Sequence, residues 1–223
     1  MQIRIPYTPR KFQNYLHQRI RDYRWSVLVC HRRFGKTVCM INHLLMAALT
    51  SKVSNPRYAY IAPTFKQAKS IAWDYIKQFT HKIPGVRFNE TELRVDLPNK
   101  ARITLLGSEN CDGLRGIYLD GCVIDEYANV NDRLFPEIIR PALSDRKGFC
   151  IFIGTPQGMN NNFYELFQHA KGADDWFYFK AKASETKVVD QDELTKAKEV
   201  MGENKFKQEF ECDWIANIEG SIY

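Results

Sequence analysis

The strongest constraint on the fold is the alternation of short apolar runs with helical patterns along almost the whole chain. The apolar runs are rich in β-branched and aromatic residues, and they predict strands at 26–30, 58–62, 93–97, 102–106, 121–124, 149–153 and 176–181. Helical periodicity lies between and after them, at 36–49, 65–81, 132–143, 161–170, 191–201 and 203–213. Because most of these strands are apolar on both faces, the pattern predicts an α/β fold whose mainly parallel sheet is covered by helices on both sides.

The segment 86–106 departs from this pattern. Its short strands alternate between apolar and polar residues, and turn signals occur at Asn89-Glu90 and at Pro98-Asn99. We therefore expect an antiparallel hairpin inserted at an edge of the sheet. Ligands of parallel sheets bind at the carboxyl ends of the strands, and the motifs described next follow such strand ends.

The composition fits one sizeable globular domain or two small ones, since 44% of the 223 residues are hydrophobic and 26% are charged. A net charge of +6 permits a polyanionic partner such as DNA but does not require one. The N-terminus lacks the apolar core of a signal peptide, and no apolar run approaches membrane-spanning length. We expect a soluble protein of the cytoplasm.

The cysteines show neither a CxxC motif nor the Cys/His spacing of a zinc site, and several lie within apolar runs. This placement favours buried, reduced thiols over a disulfide framework or a metal centre. The residues concerned are Cys30, Cys39, Cys111, Cys122, Cys150 and Cys212.

A candidate phosphate-binding loop joins the strand at 26–30 to the helix at 36–49. Its end, Gly35-Lys36-Thr37, matches the last three positions of the pattern G-x-x-x-x-G-K-[ST], whereas Cys30 replaces the first glycine. In such a loop backbone N–H groups surround the phosphates, the lysine neutralises the β- and γ-phosphate oxygens, and the hydroxyl binds Mg²⁺. The predicted nucleotide-binding residues here are Cys30, His31, Arg32, Arg33, Phe34, Gly35, Lys36 and Thr37. The alternative is an ordinary glycine turn before a basic helix.

Two adjacent acids end the apolar strand at 121–124. Asp125 is predicted to hold the Mg²⁺ shell together with Thr37, and Glu126 to orient and deprotonate an attacking water. Two solvated loop acids are the alternative. Thr155 follows the strand at 149–153 and could contact the region of the γ-phosphate, although a Gly-Thr-Pro turn is a weak motif alone.

Together, these segments resemble the large terminase subunits of tailed bacteriophages. That family has a phosphate loop with arginines before Gly-Lys-Thr/Ser, a strand ending in Asp-Glu, and a Thr-Pro-x-Gly turn before an Asn/Phe/Tyr-rich helix, here at 155–158 and 160–164. The resemblance extends from Tyr7 to about Trp214. It implies a P-loop NTPase fold of the ASCE type that uses ATP and Mg²⁺.

The resemblance also implies a biological setting. Large terminases power the movement of double-stranded DNA into a procapsid, so the implied partners are viral DNA, a portal protein, a small terminase subunit and further copies of the chain in a ring. The implied location is the host cytoplasm, docked on the procapsid and not within the mature virion. The chain would be a motor domain at 1–214, followed at 215–223 by the start of a linker to a nuclease domain that this sequence lacks, so nuclease activity is not expected.

Family roles can be placed on matching positions of the chain. Arg32 corresponds to a catalytic arginine that contacts nucleotide, and Arg115 to an arginine that acts on the ATP of a neighbouring subunit. Tyr7 and Gln13 correspond to the adenine-side segment. A surface salt bridge is the alternative for Arg115, and a helix start capped by Thr8 with Pro9 in its first turn is the alternative for the N-terminal segment.

Basic residues are expected to hold DNA through its phosphates, because a motor that moves any sequence should not read base edges. The candidates are Lys66 and Lys69, on a predicted helix, and Lys100 and Arg102, beside the predicted hairpin. Further basic residues of the same regions are Lys77, Lys82, Arg87 and Arg94.

Three other functions remain open on the sequence. A helicase of superfamily 2 has comparable motifs but needs a second RecA-like domain, for which 223 residues leave no room. A degenerate P-loop protein that binds a partner without turnover is favoured by Cys30 but not by the presence of Lys36, Asp125 and Glu126. A metabolic kinase is disfavoured because no acceptor site or lid is recognisable.

Overall fold

One mixed sheet of eight strands organises the computed structural model, which describes residues 5–215. The strands are β1 (Trp25–Cys30), β2 (Arg57–Ala62), β3 (Arg87–Asn89), β4 (Arg94–Asp96), β5 (Arg102–Gly107), β6 (Gly121–Ile124), β7 (Phe149–Gly154) and β8 (Trp176–Ala181). Their spatial order is β3-β4-β5-β2-β6-β7-β1-β8. All pairings from β5 to β8 are parallel, and β4 pairs antiparallel with both β3 and β5. The predicted mainly parallel α/β fold is confirmed.

Helices connect the strands. They are α1 (Lys11–Arg19), α2 (Lys36–Thr50), α3 (Phe65–Ala68), α4 (Asp74–Thr80), α5 (Arg140–Ala142), α6 (Asn162–Gly172), α7 (Ala183–Thr186), α8 (Gln191–Met201) and α9 (Glu203–Phe210). Wider π-helical turns, at Lys69–Trp73 and Leu134–Ile139, lead into α4 and α5. Short 3₁₀ turns lie at Ile20–Asp22, Ser108–Leu114 and Tyr127–Asn129.

The two faces of the sheet belong to two separate apolar cores. Successive side chains of a strand point to opposite faces, so Leu28 of β1 packs with α1, α2 and α4 on one face, whereas Val27 and Val29 pack with α6 and the segment before α5 on the other. Helix α2 is buried around most of its circumference because it crosses the centre of the sheet, against β2, β5 and β6. The expectation of helices on both faces is confirmed.

The inserted hairpin is shorter than expected. The chain turns at both predicted places, but β5 pairs parallel with β2 as well as antiparallel with β4. The insert is therefore β3–β4, and the boundary 86–106 wrongly included a strand of the main sheet. An alternating apolar pattern cannot distinguish these two roles, because β5 buries the residues of one face fully and those of the other only in part.

The N-terminal helix starts later than the alternative interpretation supposed. Arg10 precedes the first helical residue, and its backbone N–H donates to Gln13 Oε1 at 2.9 Å. A cap at Thr8 with Pro9 in the first turn is therefore wrong. The six cysteines are free and buried, as predicted. Within 5–215 no helix is long and apolar enough to cross a bilayer. The predicted linker, 215–223, lies outside the described residues beyond Ile215.

Candidate nucleotide-binding site

The candidate phosphate loop connects β1 to α2 at the carboxyl edge of the sheet. Gly35, the last loop residue, has a φ of 86°, a left-handed conformation that favours glycine. A Cβ atom at this position would lie 2.9 Å from Gln13 Nε2. Helix α2 begins at the next residue, and its first N–H groups have no partner within the helix. The loop thus ends on a helix N-terminus, which is suited to bind an anion.

The first half of the loop is held by two elements from the C-terminal part of the chain. The N–H of His31 donates to the carbonyl of Ala181 at 3.0 Å, and the N–H of Arg32 donates to the carbonyl of Glu209 at 2.7 Å. The His31 ring is buried and lies 2.7 Å from the Thr186 hydroxyl. Cys30 is also buried. The backbone of 31 and 32 therefore fixes the loop, and N–H groups nearer to α2 remain available for phosphate.

The second half of the loop is held by α1. Gln13 Nε2 donates to the carbonyl of Gly35 at 3.2 Å, and Arg10 Nη1 donates to the carbonyl of Phe34 at 3.2 Å. Gln13 is 4% exposed, and its oxygen already accepts the N–H of Arg10. Tyr7 lies apart from the loop, because its hydroxyl is 3.0 Å from His17 Nε2 and its ring packs edge-on against Phe79. The structure thus brings Gln13, but not Tyr7, to the loop.

The two acids after β6 lie on the same edge of the sheet. Asp125 is 3% exposed, and its N–H continues the sheet by donating to the carbonyl of Ile61 at 2.7 Å. Glu126 then adopts left-handed angles, with φ 49° and ψ 47°. This conformation turns the chain out of the sheet directly after Asp125, so that neighbouring side chains need not point to opposite faces.

Lys36 and both acids converge. The Lys36 ammonium donates to the carbonyl of Cys30 at 3.2 Å and lies close enough to Asp125 and Glu126 to lower the pKa of each carboxyl. Burial has the larger, opposite effect. It raises the pKa of Glu126 to about 7, and it also raises the pKa of Asp125. Arg32 and Glu209 also act on the pKa of Glu126, the first lowering it and the second raising it.

The turn after β7 completes this edge. Strand β7 lies between β1 and β6, so Thr155 follows it between the loop and the acids, where it is 5% exposed. Gln208 of α9 donates from Nε2 to the carbonyl of Pro156 at 2.7 Å. Asn161 caps α6 by accepting two backbone N–H groups, and it donates to the carbonyl of Gly158 at 2.8 Å. The turn is therefore fixed from both sides.

Three residues of the site were not found from the sequence. Tyr60 of β2 donates a hydrogen bond to Asp125, while Gln208 and Glu209 reach the site from α9. No motif marks these positions. Their roles depend on β2 lying beside β6 and on α9 folding back onto the loop, which are relations between distant parts of the chain.

The residues also suit Mg²⁺. Among residues 5–215 no group of three or more His, Cys, Asp or Glu side chains could hold a metal ion. Thr37 and Asp125 offer instead one hydroxyl and one carboxylate, joined through Tyr60. Mg²⁺ in nucleotide sites is commonly held in this way, by one or two protein groups, waters and the phosphates of the ligand.

Comparison with known proteins identifies the family. The sequence model described as "Terminase large subunit, T4likevirus-type, N-terminal" matches residues 29–223. The chain belongs to the terminase large-subunit family. It is 25% identical to the terminase large subunit of Escherichia phage T5 over 209 residues, which are 90% of this chain and 46% of that protein. It is 31% identical to that of Thermus virus P23-45 over 126 residues, 48% of this chain and 26% of the relative. This terminase chain thus spans less than half the length of these relatives.

Solved structures agree with the fold. The large terminase ATPase domain of Thermus phage P74-26 superposes with a TM-score of 0.80 at 22% identity, covering 95% of this chain and 96% of that one. The large terminase of another thermophilic bacteriophage, in complex with ADP, superposes with a TM-score of 0.78 at 15% identity, covering 92% of this chain and 53% of the other. These likenesses show that the terminase chain has the P-loop fold of large terminase ATPase domains.

Arg115 of this terminase chain lies away from its own phosphate loop. It follows the 3₁₀ turns after β5, and β5 is separated from β1 by three strands, roughly 19 Å at about 4.8 Å per step. The side chain is 53% exposed and forms ion pairs with Asp112 at 3.1 Å and with Glu137 at 3.3 Å. Arg133 pairs with the same two acids. Arg115 is therefore a surface ion-pair residue within the isolated terminase chain.

The four predicted DNA contacts do not form one surface. Lys66 and Lys69 are exposed just after the carboxyl end of β2, beside the site. Lys100 and Arg102 lie at the amino end of β5, which is about 20 Å long. Arg102 is also partly neutralised, because Asp96 accepts from it at 2.6 Å. The terminase chain thus presents two separate pairs of basic residues, at opposite ends of the sheet.

Proposed function

We propose that this terminase large-subunit chain hydrolyses ATP in the presence of Mg²⁺, and that hydrolysis powers translocation of double-stranded DNA into a viral procapsid. The observation that carries the proposal is the convergence of Lys36, Asp125 and Glu126 at one edge of the sheet, next to a loop that ends on a helix N-terminus. A binding module without turnover does not need a buried carboxylate beside this lysine.

Each group has a chemical role in hydrolysis. Lys36 neutralises charge on the β- and γ-phosphate oxygens, and the N–H groups at the start of α2 bind the phosphates. Thr37 and Asp125 would hold Mg²⁺, which supplies further neutralisation of phosphate charge. Thr155 lies where it can contact the γ-phosphate region.

Glu126 is the proposed general base. Its carboxylate takes a proton from water as the water oxygen bonds to the γ-phosphorus and the bond to the ADP oxygen breaks. A base works best when its pKa lies near the operating pH, and burial brings the pKa of Glu126 to about 7. Water, rather than a substrate hydroxyl, is the expected nucleophile because a basic carboxylate directly beside the proposed Mg²⁺ ligand suits water activation.

Two arginines are proposed to act on the nucleotide. Arg32 is exposed in the loop and lies near Glu126, where it can reach a bound triphosphate. Arg115 is proposed to act on the ATP of a neighbouring copy, which agrees with its exposure and its distance across the sheet from its own loop. On the base side, Gln13 borders the loop, and Tyr7 would need to move to stack on adenine.

The proposed partners are double-stranded viral DNA, portal protein, the small terminase subunit and further copies of the chain in a ring. The large terminase of the second thermophilic phage has been solved with ADP and with ATP-γ-S, which supports a nucleotide as ligand. Work in the host cytoplasm, on a docked procapsid, is part of the same proposal.

Phosphate release tests hydrolysis directly. Glu126→Gln keeps the size of the side chain and removes the base, so we expect turnover to fall by about a hundredfold or more while nucleotide binding persists. Glu199→Gln, an exposed position on α8, serves as the matched control. Equal phosphate release from Glu126→Gln and the wild type would reject the proposed mechanism. Nucleotide binding without release by the wild type, in the presence of DNA and portal, would favour the binding module.

A further inference from the structure

Tyr60 connects two residues of the proposed magnesium site from a strand that contains no nucleotide-binding motif. It lies in β2, opposite Val123 of the neighbouring strand β6, and none of its surface is exposed. Asp125 follows β6 by one residue and continues the pairing with β2. The register of these two parallel strands therefore sets the phenol beside the carboxylate.

The Tyr60 hydroxyl donates a hydrogen bond to Asp125 Oδ2. The Thr37 hydroxyl is close to the same phenol, where it acts as a hydrogen-bonding neighbour that lowers the pKa of Tyr60, while burial raises that pKa well above its ordinary value. The phenol is thus protonated and serves as a donor. It touches both side chains that are proposed to share the metal ion.

Asp125 is oriented by two donors that come from different directions. Its Oδ1 accepts the N–H of Glu126 at 2.8 Å, and its Oδ2 accepts the phenol. Each carboxylate oxygen has two lone pairs, so each can still accept a hydrogen bond from a metal-bound water. Without the phenol, the buried carboxylate would keep one donor and could rotate.

We propose that Tyr60 is a positioning residue of the magnesium site, whose hydroxyl holds the Asp125 carboxylate and the Thr37 hydroxyl in the orientation that binds Mg²⁺ with the nucleotide. This inference rests on the proposed function. If the ring only fills the core, phenylalanine replaces it without effect on the metal. The hydroxyl alone distinguishes the two roles.

The test is a Mg²⁺ titration of the binding of a fluorescent ATP analogue to the full chain. For Tyr60→Phe we expect the Mg²⁺ concentration at half-effect to rise by about tenfold, the usual loss for a hydrogen bond to a charged acceptor. Nucleotide affinity in EDTA should stay within about twofold of the wild type, because Tyr60 does not contact the loop N–H groups. An unchanged Mg²⁺ midpoint would overturn the inference.

Tyr58→Phe is the matched control. Tyr58 lies two residues earlier on the same face of β2, is 5% exposed, and donates to the carbonyl of Ala47 at 3.2 Å, away from the site. It loses the same buried hydroxyl, so it reports the effect of destabilisation alone. We expect its Mg²⁺ midpoint to match that of the wild type. An equal shift in both variants would assign the effect to general loss of stability.

A second pair of variants applies if Tyr60→Phe fails to fold. Asp125→Asn removes the buried charge, and adding Tyr60→Phe to it should change the Mg²⁺ midpoint no further, because Tyr60 acts through the carboxylate. A further shift of more than about threefold in the double variant would contradict the inference. Nucleotide binding by the wild type is scored first, and its absence rejects the proposed function itself.

Discussion

Gln208 Nε2 and the carbonyl oxygen of Pro156 form a hydrogen bond of 2.7 Å in the interior of the protein. The next residue of α9, Glu209, accepts the N–H of Arg32 through its own carbonyl at 2.7 Å. One short helix near the end of the described chain therefore contacts both the phosphate loop and the turn after β7. A displacement of either segment has to be accommodated by α9.

The first prediction concerns this helix. Gln208→Met keeps the length of the side chain but leaves the Pro156 carbonyl without its donor, so we expect the free energy of unfolding to fall by about 1 kcal/mol. The loss is modest because Gln208 Oε1 has no partner among the described residues, and removing that buried atom offsets part of the cost. Urea denaturation measures the change. Gln191→Met, exposed at the start of α8, should change stability by much less; equal losses would show that the hydrogen bond contributes little.

The second prediction is a pH dependence of turnover. Because burial raises the pKa of Glu126 to about 7, its base form should become populated between about pH 6 and pH 8, and ATP turnover should rise across that range. The rate of phosphate release, measured at constant ionic strength with saturating nucleotide, checks this. A flat profile would mean that Glu126 is ionised throughout or that another step limits turnover.

The same shift has a consequence for stability, with a sign that can be tested. Between its ordinary pKa of 4.5 and about 7, Glu126 keeps its proton in the folded chain and loses it in the unfolded chain. Its contribution to stability therefore decreases as the pH rises through this window. Glu126→Gln should remove the decrease. Glu203→Gln should not, because Lys198 lowers the pKa of Glu203 and its effect lies at more acidic pH.

The third prediction concerns Arg115. Arg115→Ala should leave nucleotide binding by the isolated chain unchanged and reduce ATP hydrolysis by the assembled ring by about a thousandfold, since an arginine supplied in trans stabilises charge in the transition state. Arg133→Ala is the matched control, because Arg133 pairs with the same acids, Asp112 and Glu137. Loss of ATP affinity in the Arg115→Ala monomer, or an equal loss of ring activity with Arg133→Ala, would contradict a role in trans.

The fourth prediction separates the two basic pairs. Reversing Lys66 and Lys69 to Glu should weaken DNA binding and reduce the slope of log affinity against log salt by about one per lost phosphate contact. We favour this pair because both lysines are exposed beside the nucleotide site, whereas Arg102 is engaged by Asp96. Lys100→Glu is the comparison variant. A larger effect of Lys100→Glu would place DNA at the amino end of the sheet.

Much of the fold could be predicted because local signals and the final structure agree. The apolar strands ending at Cys30 and Ile124 are fully buried on both faces, and strands of that kind are recognisable from composition alone. Gly35-Lys36-Thr37 and Asp125-Glu126 were found for the same reason, since each motif follows directly on such a strand.

The rest depends on contacts between distant segments. Tyr60 reads as one more apolar residue of a buried strand until β6 is placed beside β2. Gln208 lies in a charged helix, and its burial becomes evident only when α9 folds onto the turn after β7. The π-helical turns at Lys69–Trp73 and Leu134–Ile139 likewise have apolar spacings that a regular helix would also satisfy.

The left-handed backbone at Glu126 implies a conflict between durability and chemistry at a single position. A side chain with a Cβ atom is strained at φ 49°, at a cost of about 1 kcal/mol or more, whereas glycine adopts this geometry freely. Directed evolution for heat resistance alone would therefore enrich glycine or asparagine at 126 and yield a hardier but inert protein. Retaining glutamate at this position is worthwhile only for a chain that is selected for work.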